Sequence, residues 1–451
     1  MGESVLKSGR GAEGQRGGAV HRQTALFADA GLARRADGAL LLGRVCLEEI
    51  ARAVGTPAYV YNAEAVRVRF AALAHALAPL DHRICYAVKA NGSLAILRVL
   101  RDLGAGADIV SVGELRRALA AGFSPDQIVF SGVGKTRDEL AEACAVGIGQ
   151  INLESLEELE TLARVADMQE ARIRVGIRVN PDVTLNTHPY LTTGTAAAKF
   201  GIPADLVLDT ARRVAAHPRL ELTGLAMHLG SQLLDTAPYL RGATRLVELV
   251  LQVRAAGIST LRALDIGGGL GIRYKDEEPL APERLAATIR PLVSGLGLAL
   301  HLEPGRFLVG SAGVLLTTVL YRKHAGGKDF VVVDAGMNDL VRPSHYQAYH
   351  EVVVLRDQRR PVQLVDVVGP ICETGDFLAL ERPLPAVEPG ERVAILCAGA
   401  YGFVMASTYN ARPRPPEVVV DEARWGIARP REGLEDLVHG ELVTPLADDT
   451  P

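Results

Sequence analysis

Apolar positions along this chain follow two rhythms. From about residue 58 to 310, short β-branched runs alternate with longer stretches whose apolar residues return every three to four positions. The runs predict strands at Ile84–Val88, Ala107–Val110, Gln127–Phe130, Gln150–Leu153, Ile173–Val179, Leu222–Met227, Leu261–Ile266 and Ala299–Leu302. Gly113–Ala121, Thr136–Ala145, Ser155–Val165 and Ala204–Ala216 have helical spacing. Strict β–α alternation implies a parallel sheet with helices outside it. Eight such units make an α/β fold of the (β/α)8 TIM-barrel type.

After residue 310 helical periods become scarce. Gly313–Leu320, Phe330–Val333, Gln363–Val368 and Arg392–Cys397 are strand-like runs separated by Pro, Gly and charged turns. They predict an antiparallel β-sandwich or barrel-like domain, to which Gly38–Cys46 adds a strand. The expected organisation is a disordered tail over 1–36, a barrel over 58–310, and a β domain built from 37–57 plus 311–451.

Composition narrows the function. Hydrophobic residues make up 48% and charged residues 23% of the chain, the balance of a soluble globular protein. A net charge of −4 supplies no basic field for nucleic acid, and no run is long and apolar enough for a membrane span. Cys46, Cys85, Cys144, Cys372 and Cys397 are scattered without metal-ligand spacing, so reduced thiols, a cytoplasmic location and no metal are expected. A small-molecule ligand is the remaining class of partner.

Lys89 closes the apolar run Ile84–Val88, where a charge is out of place unless it is ion-paired or is a reactive amine. Other polar residues gather just after the predicted strands: Asn91, Asp108, Ser111, Asn180, His228, Ser231, Gly267–Gly269, Glu303 and Arg306. In a barrel these positions open onto the C-terminal face, where active sites are built. Asp265-Ile-Gly-Gly-Gly-Leu-Gly271 fails the dinucleotide pattern because Ile272 replaces its last glycine. It suits a single phosphate, or simply a tight turn. Glu303-Pro304-Gly305-Arg306 offers a carboxylate for a protonated ring nitrogen and a guanidinium for oxyanions, or an ion-paired turn. His228 could stack on a flat ring, although a lone histidine is more often structural. Cys372, flanked by Glu373 and Asp376, could donate a proton, although a buried inert thiol is the commoner case. Tyr401 sits between glycines, and Arg342 with Tyr346 makes a carboxylate binder. A carbonyl-reactive amine, a phosphate cradle and a carboxylate for a ring nitrogen together match the aldehyde, phosphate and pyridine of pyridoxal 5′-phosphate.

With these motifs the chain resembles the fold-type III pyridoxal-phosphate-dependent decarboxylases over about residues 40 to 445. The resemblance rests on Tyr86–Asn91, Lys199–Ile202, His228–Gln232, Asp265–Ile272, Glu303–Arg306, Asn338–His350, Cys372–Asp376 and Gly399–Glu417. The stretches at 338–350 and 399–417 are similar to the diaminopimelate branch in particular. Thr374 and Leu229 are conservative departures from its pattern.

The resemblance implies a carboxy-lyase that converts meso-2,6-diaminopimelate to L-lysine and CO2, the last step of lysine biosynthesis. Arginine, ornithine and carboxynorspermidine decarboxylases are the sibling alternatives. It further implies that Lys89 binds the cofactor covalently and that His228 stacks on it. Ser231, Gly269, Pro304, Gly305, Arg306 and Tyr401 would surround the phosphate, with Glu303 on the ring nitrogen. Arg306, Arg342, Tyr346, Glu373 and Tyr401 would hold the substrate, and Cys372 would return a proton. It implies a homodimer with shared active sites, Cys372 reaching the partner's site. A lid over Asp182–Ala198 is a further expectation.

Overall fold

The computed structural model describes residues 22–182 and 199–442. Residues 1–21 of the expected tail, and nearly all of the expected lid segment, lie outside the described residues. The chain divides into two compact units. The first comprises residues 1–32, 62–313 and 399–404; the second comprises 33–61, 314–398 and 405–451.

The first unit is a closed barrel of eight parallel strands: His82–Ala87, Gly106–Ile109, Ile128–Phe130, Gln150–Leu153, Ile173–Asn180, Leu220–Ala226, Ala263–Asp265 and Ala299–Leu302. Each pairs with its sequence neighbour, and the eighth pairs with the first through Leu300–Leu302 and His82–Ile84. All eight predicted strands are present to within a few residues, and most are short, largely buried runs.

The intervening helices start where the sequence supplies a cap. Ser111 and Ser155 accept from the backbone N–H of Glu114 and Glu158, and Thr136 forms a reciprocal capping box with Glu139. Ser111 therefore has a structural role. So does Asn180, whose side chain accepts from the N–H of Asp182.

The tail expectation fails over its second half. A helix spans residues 22–30, and Leu26 and Ala30 on it are buried. Asn62 joins this helix to the next: its Nδ2 donates to Ala30 O at 2.9 Å, while its Oδ1 caps the helix Ala63–Leu77.

The second unit differs from expectation in three ways. Its large sheet is mixed, since Lys328–Val333 pairs in parallel with Val362–Val368 while the other registered pairings are antiparallel. Gly38–Cys46 does not join that sheet; Leu40–Leu42 and Val45–Cys46 form a separate three-stranded sheet with Leu32–Arg34. The strand that does join is Ala58–Asn62, lying between Gly313–Ala325 and Glu417–Asp421. Its tyrosines explain the assignment. Tyr59 Oη donates to Asp339 O at 2.6 Å and Tyr61 Oη to Glu417 Oε1 at 2.8 Å, both within this unit. The barrel unit also includes Gly399–Val404, which had been expected in the β domain. Asn91 Nδ2 donates to Gly399 O at 3.0 Å, and Tyr401 N–H donates to Ala90 O at 2.8 Å.

Asn62→Ala removes both the cap and the buried donor to Ala30 O, at an expected cost of about 2 kcal/mol. The check is the thermal unfolding midpoint. Asn62→Asp keeps the capping acceptor but sets a buried carboxylate oxygen against Ala30 O, so it should lose at least as much.

Candidate active site

The first barrel strand ends in a single 3-10 turn, Val88–Ala90, that lifts Lys89 out of the wall. Its Nζ lies 2.9 Å from Asp108 Oδ2 on the second strand. Asp108 is fully buried, whereas about a third (35%) of the Lys89 side chain remains accessible. Burial works against the ammonium. The carboxylates of Asp108 and Glu303, with Tyr401, outweigh it and raise the Lys89 pKa above its ordinary value.

Glu303 follows the last strand. Burial, with Asp108 and Asp265 nearby, pushes its pKa well above the carboxylate range, against Lys89 and Arg178. Burial likewise pushes Asp265 up to about 7, against a 2.7 Å hydrogen bond from Gly267 N–H. His228 is pushed well below its ordinary value, by burial first and then by Arg178 and Lys89. Its Nδ1 accepts from Gly268 N–H at 3.2 Å, so the ring is neutral and carries its hydrogen on Nε2.

Lys89, Ser131, Arg178, Phe200, His228 and Glu303 share one cavity of about 380 Å³, closed in part by Val110 and Gly132–Gly134. Arg178 is held by Glu154 at 2.7 Å and lies 4.9 Å above the Phe200 ring.

Beside it is a second cluster. Arg306 donates from Nε and Nη2 to Ser231 Oγ at 3.2 and 2.9 Å, and from Nη1 to Tyr274 Oη at 2.6 Å. Its guanidinium lies 4.9 Å from the Tyr401 ring centroid. Glycine is required where these turns meet. A Cβ on Gly268 would overlap Glu303 O, and one on Gly269 would come within 2.5 Å of Gly230 O, at a φ of +100°. Gly305 leaves room for Ala87 and Ala90, beside Lys89, and Pro304 O accepts from Ala87 N–H at 3.2 Å. The tight-turn reading of the glycine loop is thus correct for its packing, and it sets Gly269 against the Ser231 loop.

The remaining expected residues lie in the second unit. Arg342 is buried on the short helix Arg342–Tyr346, 5.8 Å from the Tyr346 ring. Its Nε donates to His350 Nε2 at 3.3 Å, and His350 Nδ1 in turn faces Leu396 O at 2.8 Å. The turn 372–376 is tied by Asp376, which accepts from Met337 and Ile371 N–H, both at 2.6 Å. The Cys372 thiol is exposed, against the buried thiol usual for this residue type. Glu373 engages the Tyr409 hydroxyl.

A family model described as pyridoxal-dependent decarboxylase, pyridoxal binding domain, matches residues 63–310. The chain belongs to the pyridoxal-dependent decarboxylases. Within this family it is 48% identical to diaminopimelate decarboxylase of Pseudomonas aeruginosa, over 91% of this chain and 98% of that one. It is 45% identical to the Aquifex aeolicus enzyme of that name over 90% and 96%. The crystal structure of Helicobacter pylori diaminopimelate decarboxylase complexed with L-lysine superposes with a TM-score of 0.84, at 40% identity, over 87% of this chain and 98% of that one. A lysine/ornithine decarboxylase from Vibrio vulnificus, at 21% identity and a TM-score of 0.73, shares the fold.

As a pyridoxal-dependent decarboxylase the protein is a carboxy-lyase whose cofactor is pyridoxal 5′-phosphate, and the residues present fit that group. An accessible primary amine, a flat neutral imidazole and a carboxylate line one cavity, with an Arg–Ser–Tyr cluster suited to a phosphate close by. Motif reading assigned no role to Asp108, Arg178, Ser131, Tyr274 or His350. Asp108 and Arg178 carry the same signal as Lys89, a charge inside an apolar strand run. Ser131 directly follows a predicted strand and His350 closes the 338–350 stretch, whereas Tyr274 carries no such signal.

Asp108→Asn removes the carboxylate that favours the Lys89 ammonium, so the Lys89 pKa should fall. The rate at which apoprotein takes up pyridoxal phosphate, followed by visible absorbance across pH, should then reach its plateau at a lower pH than in the unsubstituted protein.

Proposed function

We propose that this protein decarboxylates meso-2,6-diaminopimelate to L-lysine and CO2, the closing step of lysine biosynthesis. The observation that carries the substrate choice is Arg342, a buried guanidinium oriented by His350 and suited to a second carboxylate. A substrate whose distal end carries an ammonium and no carboxylate would call for an acid at that place. Relatives named diaminopimelate decarboxylase at 45–48% identity support the same choice.

The bound cofactor supplies an aldehyde and a protonatable pyridine that together accept the electron pair left by the departing carboxylate. Lys89 supplies the primary amine that would hold the cofactor and yield to the substrate α-amine. Glu303 would pair with the ring nitrogen, and His228 would stack on the ring. Ser231, Gly269, Pro304, Gly305, Arg306 and Tyr401 surround the phosphate. Arg306, Arg342, Tyr346, Glu373 and Tyr401 hold the carboxylates and amines of the substrate. Cys372 returns a proton to Cα after CO2 leaves.

The working form is a cytoplasmic two-fold dimer in which Cys372 and its neighbours serve the site of the partner subunit. Support for this comes from the exposed Cys372 thiol and from a chain whose five cysteines are all free.

Pure protein supplied with meso-diaminopimelate should release CO2 and lysine. Release of CO2 from ornithine or arginine instead would move the assignment to a sibling decarboxylase. Lys89→Ala and Cys372→Ala should each be inactive alone. Subunits mixed in equal amounts and exchanged should regain roughly a quarter of full activity, because half the dimers are hybrids and each hybrid has one intact site. No recovery would reject the shared site.

A further inference from the structure

A barrel interior is ordinarily filled by Val, Ile and Leu. This one holds a line of neutral polar side chains. Thr223 on the sixth strand donates from Oγ1 to Gln150 Oε1 at 2.8 Å. Gln150, on the fourth strand, donates from Nε2 to Asn152 Oδ1 at 2.8 Å. Asn152 Nδ2 donates to Ser131 Oγ at 3.1 Å, and Ser131 Oγ donates to Glu303 Oε1 at 3.4 Å. All five residues are buried, and from Gln150 onward each donor points toward Glu303, while the Thr223 hydroxyl lies within reach of both Gln150 Oε1 and, at 3.2 Å, Val175 O.

The space for this line is built into the wall. A Cβ on Gly176 would overlap Asn152 Oδ1 and lie 2.5 Å from Gln150 Nε2, and one on Gly224 would lie 3.1 Å from Gln150 Oε1. Two neighbouring strands therefore carry glycine, of weak strand propensity, where the amides pass. Apolar residues at 150, 152 and 223 would fill the same volume without desolvating three polar groups. The line ends at the carboxylate that faces the cofactor ring nitrogen, so its chemistry has an evident use there. Glu303 shares its surroundings with Asp108 and Asp265, which disfavour its charge. A donor without charge favours the ionised carboxylate and fixes its rotamer without adding another ion to the group.

We propose that Thr223, Gln150, Asn152 and Ser131 form a relay of positioning residues that orients Glu303 toward the ring nitrogen of the cofactor. The proposal rests on the reading of Glu303 given above. It does not depend on which amino acid is decarboxylated.

The test compares Glu303→Gln, Ser131→Ala, Ser131→Thr and Gln150→Met in the full-length protein. The readouts are the dissociation constant for pyridoxal phosphate titrated into apoprotein, the visible spectrum of the holoprotein, and kcat and KM separately. Ser131→Ala should weaken cofactor binding about tenfold, the size of one hydrogen bond to a charged group. It should also alter the visible band and lower kcat with little change in KM. Ser131→Thr, which keeps the donor, should restore all three. Gln150→Met, two links away from Glu303, should shift the same readouts in the same direction. The Ser131→Ala/Gln150→Met double variant should then lose little more than Ser131→Ala alone. Should Gln150→Met fail to fold, the contrast between Ser131→Ala and Ser131→Thr still decides.

The relay is overturned if Glu303→Gln is defective while Ser131→Ala or Gln150→Met binds cofactor with the original affinity and spectrum. It is also overturned if the two substitutions add in full. An unaltered Glu303→Gln would instead overturn the reading of Glu303, and the relay with it.

Discussion

The barrel unit is organised around buried charge at the C-terminal ends of its strands. Asp108, Asp265 and Glu303 converge there, with Lys89 and Arg178 opposite them. Like charges so close raise one another's pKa, and burial adds to the effect. Such a group persists only if its cations stay in place. Lys89 is held by Asp108, and Arg178 by Glu154. Glu154 also accepts from the N–H of Gly132 at 2.8 Å and of Gly201 at 2.9 Å, so the carboxylate that anchors Arg178 also anchors two loops. The electrostatics of the cavity and the course of its rim are thus one problem with one solution.

This arrangement suits a cofactor that brings its own charges. On the proposed assignment a phosphate would answer Arg306, a protonated pyridine would answer Glu303, and an aldehyde would take up the Lys89 amine. The neutral His228 fits the same logic, because a third cation would oppose the ring-nitrogen proton. Chemistry that needs an ionised Glu303 beside two other carboxylates depends on neutral donors, which hydroxyls and amides can supply without adding charge.

Much of the barrel was legible in the sequence. Period and length set the eight strands, and polar residues at their ends marked Lys89, His228 and Glu303, which the fold gathers in one cavity. Other features escaped for physical reasons. Residues 58–62 fall inside the span expected for the barrel, yet the tyrosines there find partners at 339 and 417. Gly399–Val404 carries no periodicity that could tie it to residues three hundred positions earlier. Gln150 and Asn152 occupy alternate positions in one short run, where a polar face is indistinguishable from an exposed one until the barrel closes. The parallel pairing of Lys328–Val333 with Val362–Val368 depends on the path of the connecting chain, which composition does not record.

The interleaved course of the chain bears on the order of events during synthesis. Tyr401 reaches the barrel only in the segment 399–404, after the ribosome has made residues 314–398 of the other unit. Its backbone N–H binds Ala90 O beside the reactive lysine, and its ring covers Arg306. A nascent barrel released at residue 313 would hold the lysine, the imidazole and the glycine loop, but not this tyrosine. The contact of Tyr401 with Ala90 and Arg306 is therefore completed only late in translation, near the end of the chain.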